Sequence, residues 1–269
     1  MEISHPQLSI IVLAGNEAEV IANCLKSCLF ADELIVVLAN SSDSTKDIIR
    51  DLFPETKIIA TADEYNKNFS KWRNLGLSSA TGDWILYVDA DERVTLNLKD
   101  EIIQTIQKSE TFAYYVIPRF NYFLGQRVKY GGTYPDYAKR LFRRSCFYGF
   151  EGILHEEPKV TGDLGYLKTA LTHLTHRYLE TMVDKTLSWT EIQAKHLYQS
   201  KHPPLSWWRF PRMFFWKFWH RLIKEQSFKD GTVGWISTIF ESFDTFIIYA
   251  RLWEYQRYGK TSRDLRSLS

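Results

Sequence analysis

The stretch from Ala80 to Glu92 constrains this chain more than any other. Thr81-Gly82-Asp83 is a turn signal, and it feeds Trp84 to Val88, five residues that are all apolar or aromatic. A run of that length without polar alternation reads as a strand buried on both faces, as inside a parallel sheet. Asp89, Asp91 and Glu92 stand at its carboxyl end, the side on which open α/β sheets bind ligands. Three carboxylates crowded there repel one another. A hard divalent cation relieves that repulsion, and Mg²⁺ is commonly held by one or two carboxylates plus substrate phosphates. Acids also suit the first turn of a helix, so it is the placement behind an apolar strand that favours a metal site.

The rest of the first hundred residues alternates in the same sense. Leu8 to Leu13, Leu34 to Leu38 and Lys57 to Ala60 read as strands. Between and after them lie helical stretches from Asn16-Glu17 to about Leu29, from Lys46 to Phe53 and from Ser70 to Ala80, the second preceded by cap residues at 41–45. Strand–helix alternation with short loops predicts a parallel sheet with right-handed crossovers. After a helix near Leu98–Lys108 the pattern changes. Phe112 to Pro118 and Tyr122 to Leu124 read as separate strands. The Gly131-Gly132 loop follows, and then the basic run Lys139-Arg140-Leu141-Phe142-Arg143-Arg144. That run fits either a strand facing an anion or an edge strand protected by its charges.

Charge is unevenly divided. Residues 1–110 carry 10 Lys/Arg against 18 Asp/Glu, and residues 111–269 carry 24 against 14, so the two parts face different partners. Cys24, Cys28 and Cys146 are too few and too irregular for a disulfide framework or a zinc site. Cys24 and Cys28, one helical turn apart, read as small buried thiols of a reducing compartment. The chain opens without a basic signal-peptide start, and no segment is long and apolar enough to span a bilayer. The expected location is cytoplasmic.

The tail differs in character. His202-Pro203-Pro204 ends a helix that begins near Tyr178, and four tryptophans fall between Trp207 and Trp219. At helical spacing Phe214, Phe215, Phe218, Trp219 and Leu222 share one face, with Arg209, Arg212, Lys217, His220, Arg221 and Lys224 mostly opposite and Trp216 and Ile223 mixed among them. A basic, aromatic, amphipathic helix belongs in a lipid interface. The expectation is a helix from Trp207 to Lys224 that inserts Phe214, Phe218 and Leu222, followed by a second aromatic helix from Val233 to about Tyr258.

The chain resembles the inverting family 2 glycosyltransferases, above all the bacterial lipopolysaccharide-core branch. The resemblance rests on the ordered series Leu8–Glu17, Glu33–Thr45, Arg73-Asn74-Leu75-Gly76-Leu77, Ala80–Glu92, Arg140–Arg144 and Gly152-Ile153-Leu154-His155-Glu156. It implies a GT-A, Rossmann-like fold: a mainly parallel sheet flanked by helices, with a catalytic domain over residues 1–200 and a membrane-associating helical extension over residues 201–269. It implies a donor site of Asn16, Glu17, Asn40, Arg73, Asp89 and Asp91 for a nucleotide-sugar, with a UDP-sugar first in line. Mg²⁺ or Mn²⁺ would be held by Asp91 with His155, and Glu156 would serve as catalytic base. Asp136, Arg140 and Arg143 are the acceptor or phosphate candidates. One departure stands out. The family commonly ends its second strand with an acid that contacts the nucleoside, whereas this strand ends Leu38-Ala39-Asn40, leaving Asn40 or a backbone carbonyl for that contact.

The expected activity is therefore metal-dependent, inverting transfer of a sugar to a lipid-linked or cell-envelope saccharide, at the inner face of the membrane. A nucleotidyltransferase would carry a Gly-rich basic loop after the first strand, where this chain has Ala14-Gly15-Asn16-Glu17. A non-catalytic saccharide- or lipid-binding relative would have little reason to keep Asp89, Asp91 and Glu156. Nucleic acid is not an expected partner, because the first half is acidic and no binding motif is present.

Overall fold

The computed structural model describes residues 5–61, 68–108, 112–152 and 156–259. The first part of the chain runs β1 (Leu8–Ala14), α1 (Ile21–Cys28), β2 (Glu33–Ala39), α2 (Thr45–Leu52), β3 (Lys57–Thr61), α3 (Phe69–Ser79), β4 (Trp84–Asp89), β5 (Glu92–Arg93) and α4 (Leu96–Ile106). Then follow β6 (Tyr114–Phe123), β7 (Gln126–Arg127), β8 (Asp136–Arg143), β9 (Phe147–Glu151), β10 (Glu157–Val160), β11 (Leu164–Tyr166) and β12 (Leu171–His176). Helices α5 (Leu179–Gln199), α6 (Arg209–Trp219) and α7 (Gly231–Tyr258) complete it.

Strands β1 to β4 form the expected parallel core, in the order β3-β2-β1-β4. Alternate residues of β1 reach opposite faces. Ile10 and Val12 join α1, α4 and Ile49 on one side, while Ile11 and Leu13 join Trp72 of α3 and Phe147 and Phe150 of β9 on the other. Both faces are covered, which is why Trp84–Val88 carries no polar residue. Each such buried side chain stabilises the fold by roughly 1.5–3 kcal/mol. Gly76 belongs to this packing, since a Cβ there would lie 2.5 Å from Ile11 Cγ2. Cys24 and Cys28 are buried as expected, and hydrogen bonding to Cys28, with burial, pushes the Cys24 thiol up.

Three local expectations are corrected. Helix α1 begins at Ile21 rather than Asn16, because the Glu17 carbonyl closes a turn with Val20 and Ile21 while the Asn16 side chain accepts the Ser42 N–H at 2.7 Å. The two strands expected between Phe112 and Leu124 are one, β6. The polar residues that suggested a break find partners, Arg119 in Glu92 and Asp136, and Asn121 in the Thr133 carbonyl. Strand β8 is not an edge. It lies antiparallel between β4 and β6.

The described chain separates into two compact units, Met1–Phe120 with Asp136–His173, and Asn121–Pro135 with Leu174–Ser269. The division falls before α5, earlier than the boundary expected at residue 200. Helix α5 packs on α7 through Ala194, Leu252 and Tyr255 and through a Thr186–Asp244 hydrogen bond of 2.6 Å. The second unit also ties its loop residues Lys129 and Tyr130 to the Asp230 carboxylate through their backbone N–H groups.

The tail helix is shorter than expected. Helix α6 ends at Trp219 and passes into a π-helical turn, His220–Lys224. Of the residues expected to insert into lipid, Phe218 and Leu222 face inward. Phe210 meets Phe246 of α7, Phe218 meets Trp235, and Leu222 is buried. No helix among the described residues is long and apolar enough to cross a membrane.

Candidate active site

The site lies beyond the carboxyl end of β4. Asp89 is the last residue of that strand, and its side chain is 27% exposed. One carboxylate oxygen accepts from Arg73 Nη2 at 3.1 Å, and the other accepts a short bond from Arg140 Nη2. Burial favours the neutral acid, but Arg140 first and Arg73 second outweigh it, so the Asp89 carboxyl is held well below the usual carboxylate range. Glu92 is fully buried. It accepts from Arg140 at 2.7 Å, from Arg119 at 3.2 Å and from the Asp89 backbone N–H at 3.0 Å. Arg119 reaches on to Asp136 at 2.8 Å. Burial disfavours the Arg140 and Arg119 cations, yet their acidic neighbours more than compensate and raise both.

Arg140 reaches this position through an irregularity. Leu141 stands opposite Tyr115 and Lys139 opposite Val116, so the β6–β8 register slips at Arg140 and leaves it unopposed. A bulge of this kind re-aims one side chain next to a site. Arg143 pairs with Trp84 at the other end of β4, its guanidinium carbon 5.3 Å from the Trp84 ring. It is not among the residues gathered at the carboxyl end.

Helix α3 organises the opposite wall. Ser70, Arg73 and Asn74 share one helical face at i, i+3 and i+4. The Asn74 side chain accepts from the Phe150 N–H at 2.8 Å and donates to its carbonyl at 2.9 Å, and Ser70 donates to the Gly152 carbonyl at 2.5 Å. Gly149 permits this approach. Its φ is +111°, and a Cβ there would lie 2.6 Å from Asn74 Oδ1. The segment after Gly152 leads to Glu156, whose carboxylate accepts from Arg73 Nε at 2.6 Å. One guanidinium therefore joins Asp89 to Glu156, 67 residues further along the sequence. The rings of Tyr87 and Phe150 each lie 5.4 Å from the Arg73 guanidinium carbon, and among the described residues Arg73 Nη1 has no hydrogen-bond partner. Glu157 points elsewhere and pairs with Lys139.

The Asp91 Oδ2 lies 3.5 Å from His173 Nε2. Strand β5 pairs with β12 so that His173 lies opposite Glu92, which brings this histidine to the acidic turn. His155, expected as the metal's imidazole ligand, lies outside the described residues. Among the described residues no group of three or more His, Cys, Asp or Glu side chains is placed to hold a metal ion. A carboxylate–imidazole pair still fits the requirement of an ion that takes its other ligands from a diphosphate and water.

At the neighbouring strand ends, Asn16 braces Ser42, and Asn40 adopts a left-handed backbone with φ 50°. The Glu17 N–H donates to Thr45 Oγ1 at 2.8 Å. Asp43, the acid nearest the carboxyl end of the second strand, is engaged in holding this loop. Hydrogen bonds from Thr45, Ala18 and Ser41 outweigh its dehydration and lower its carboxyl pKa. Sequence reasoning counted Glu92 among the clustered acids at the strand end and assigned no role to Arg119 or His173. The partners of all three are set by strand pairing, which no local motif announces.

A parallel αβ core ending in an acidic turn, with Arg73 of α3 and Glu156 facing it, has the layout of a GT-A fold. Residues 9–164 match the model of glycosyl transferase family 2, and the chain belongs to that family. It is similar to the SPbeta prophage-derived glycosyltransferase SunS of Bacillus subtilis, 31% identical over 57% of this chain and 35% of that one. It is also similar to the lipopolysaccharide core biosynthesis glycosyltransferase LpsC of Rhizobium meliloti, 22% identical over 95% of this chain and 94% of that one. The chain spans about a third of the length of the curated relatives it matches at above 30% identity. Among solved structures, Staphylococcus aureus TarS 1–349 in complex with UDP-GlcNAc aligns with a TM-score of 0.44 and 14% identity, over 96% of this chain and 93% of that one.

Proposed function

We propose that the protein transfers a sugar, with inversion, from a UDP-sugar to a lipid-linked or cell-envelope saccharide at the inner face of a membrane. The observation that carries this reading is the Arg73 bridge, which sets Asp89 and Glu156 on either side of one guanidinium. In this reading the acceptor hydroxyl attacks the anomeric carbon, Glu156 takes its proton, and the bond to the diphosphate breaks with UDP departing. Arg73 orients Glu156 and Asp89 together, and Asp89 with Asn16, Glu17 and Asn40 borders the nucleoside. Asp91 and His173 would hold Mg²⁺ or Mn²⁺, with His155 a further candidate. When bound, the ion supplies positive charge to the departing diphosphate. Asp136 and Arg140 remain acceptor- or phosphate-side candidates, although both are occupied by ion pairs. Similarity to LpsC along nearly the whole chain supports a core-saccharide acceptor.

Calorimetric titration of UDP with and without Mn²⁺ tests the reading. Wild type should bind UDP more tightly with the ion, and Asp91→Asn and His173→Ala should each lose most of that gain. UDP affinity that ignores Mn²⁺ in all three proteins would reject the metal role. No binding of any nucleoside diphosphate would reject the transferase reading.

A further inference from the structure

The outer side of α6 is apolar. Arg212, Phe215, Trp216 and Trp219 recur at i, i+3, i+4 and i+7, the spacing of one helical face, and Ile223 follows in the π-helical turn. The last four are between 52% and 64% exposed. A hollow of about 520 Å³, lined by Leu222, Ile223, Gln226, Phe228 and Trp235, carries this face onward. From Trp235 an exposed stripe continues along α7 through Ile239 and Phe243 at i+4 and i+8. Monomers rarely expose so extended an apolar surface without a use for it.

The charges around it indicate what covers it. Residues 207–229 hold six Lys or Arg and a single acid, Glu225. Of these cations only Arg221 is buried, 4.0 Å from Glu225. Arg209 and Arg212 lie 5.7 and 5.5 Å from the Trp208 ring, and exposed Lys224 and Lys229 neighbour Ile223 and Phe228 in sequence. Protein interfaces are depleted in lysine, whereas tryptophan flanked by Lys and Arg is the composition of a lipid interface. No described helix can cross a bilayer, so the contact lies in its plane.

We infer that this face docks flat on an anionic phospholipid bilayer. Trp216, Trp219, Ile223 and Trp235 sit at the headgroup–acyl boundary, and acyl chains enter the hollow. This side keeps Phe215 and Trp219 of the face that helical periodicity selects but excludes Phe214 and Phe218. The inference rests on the membrane part of the function proposed above and names the surface responsible, while its test requires no catalysis.

The full chain is sedimented with vesicles of phosphatidylcholine and phosphatidylglycerol in a two-to-one ratio at low salt. The double variant Trp216→Ser/Trp219→Ser and the control Leu52→Ser, an exposed leucine of the other unit, are run alongside. Wild type and control should partition equally and release with salt, and the double variant should bind at least about tenfold more weakly. Should that variant misfold by circular dichroism, Ile239→Ser/Phe243→Ser on α7 makes the same comparison. Equal binding by the well-folded variant and wild type overturns the inference, as does a wild type that ignores the vesicles. So does a wild-type dimer that the variant dissociates without any vesicle binding, because the face is then a subunit contact. UDP titration of the same preparations keeps the two readings separate. Vesicle binding without UDP binding sinks the transferase reading alone, and the reverse sinks this one alone.

Discussion

Replacing Arg140 with methionine removes the cation that Asp89 and Glu92 share. At the 2.7 Å separation from Glu92, the Coulomb attraction is about 6 kcal/mol at an effective dielectric of ~20. Dehydrating the two ions takes back much of that. Deleting only the arginine leaves the dehydration of Glu92 uncompensated, and breaking a buried pair in this way costs about 3–5 kcal/mol. Two features of the site select the lower end. Arg119 still reaches Glu92 at 3.2 Å, and Asp89 keeps Arg73 and some water contact, its side chain being 27% exposed. A loss of about 3 kcal/mol corresponds to a drop of roughly 6–12 °C in the melting temperature of a domain this size. The pH dependence has a definite sign. Asp89 has a depressed folded pKa, so its contribution is present above the ordinary aspartate value of about 3.9 and is lost as pH falls through the folded value. The gap between wild type and Arg140→Met should therefore be widest near neutral pH and narrow under acid. Thermal unfolding of both proteins, followed by circular dichroism from neutral pH to below pH ~4, measures this. A neutral-pH difference under about 1 kcal/mol, or one that does not vary with pH, would refute the charge-sharing argument.

Two further substitutions test other parts of the site. Glu156→Gln should bind UDP normally yet transfer sugar about a hundredfold more slowly, the scale of a lost general base; Glu157→Gln, whose parent side chain pairs with Lys139, should stay near wild type in the same assay. Gly76→Ala should cost about 1–3 kcal/mol in urea unfolding, because its Cβ would press on Ile11 and Val37; an unchanged midpoint would mean that α3 can shift away from β1.

What could be read from the sequence was whatever depends on local periodicity. The strand Trp84–Val88 announced its double burial by composition, and the acids behind it announced the end of the sheet where ligands bind. The parallel order of the first four strands followed from their alternation with helices. What could not be read depends on pairing between distant segments. Arg140 looks like one cation among four in the basic run, and only the slipped register against β6 separates it from Arg143. His173 reaches Asp91 because β5 pairs with β12, a contact between residues some eighty positions apart. In the tail the helix was legible but its orientation was not. Aromatic residues surround α6 on nearly all sides, so the hydrophobic pattern could not tell which of them α7 would cover.

The arginines also change what a metal would have to do. Repulsion among clustered acids was the physical ground for expecting a cation at the end of β4. In the folded protein Arg73, Arg119 and Arg140 already meet that need for Asp89, Glu92, Asp136 and Glu156. The arginines therefore offset much of the repulsion within the acidic turn, while Asp91 lies 3.5 Å from His173. An ion would bind beside that pair. Its affinity then depends on donors that arrive with the diphosphate, since one carboxylate and one imidazole make a weak site for Mg²⁺ or Mn²⁺ on their own. Metal and nucleotide should accordingly bind as a unit, each raising the other's affinity by the same factor.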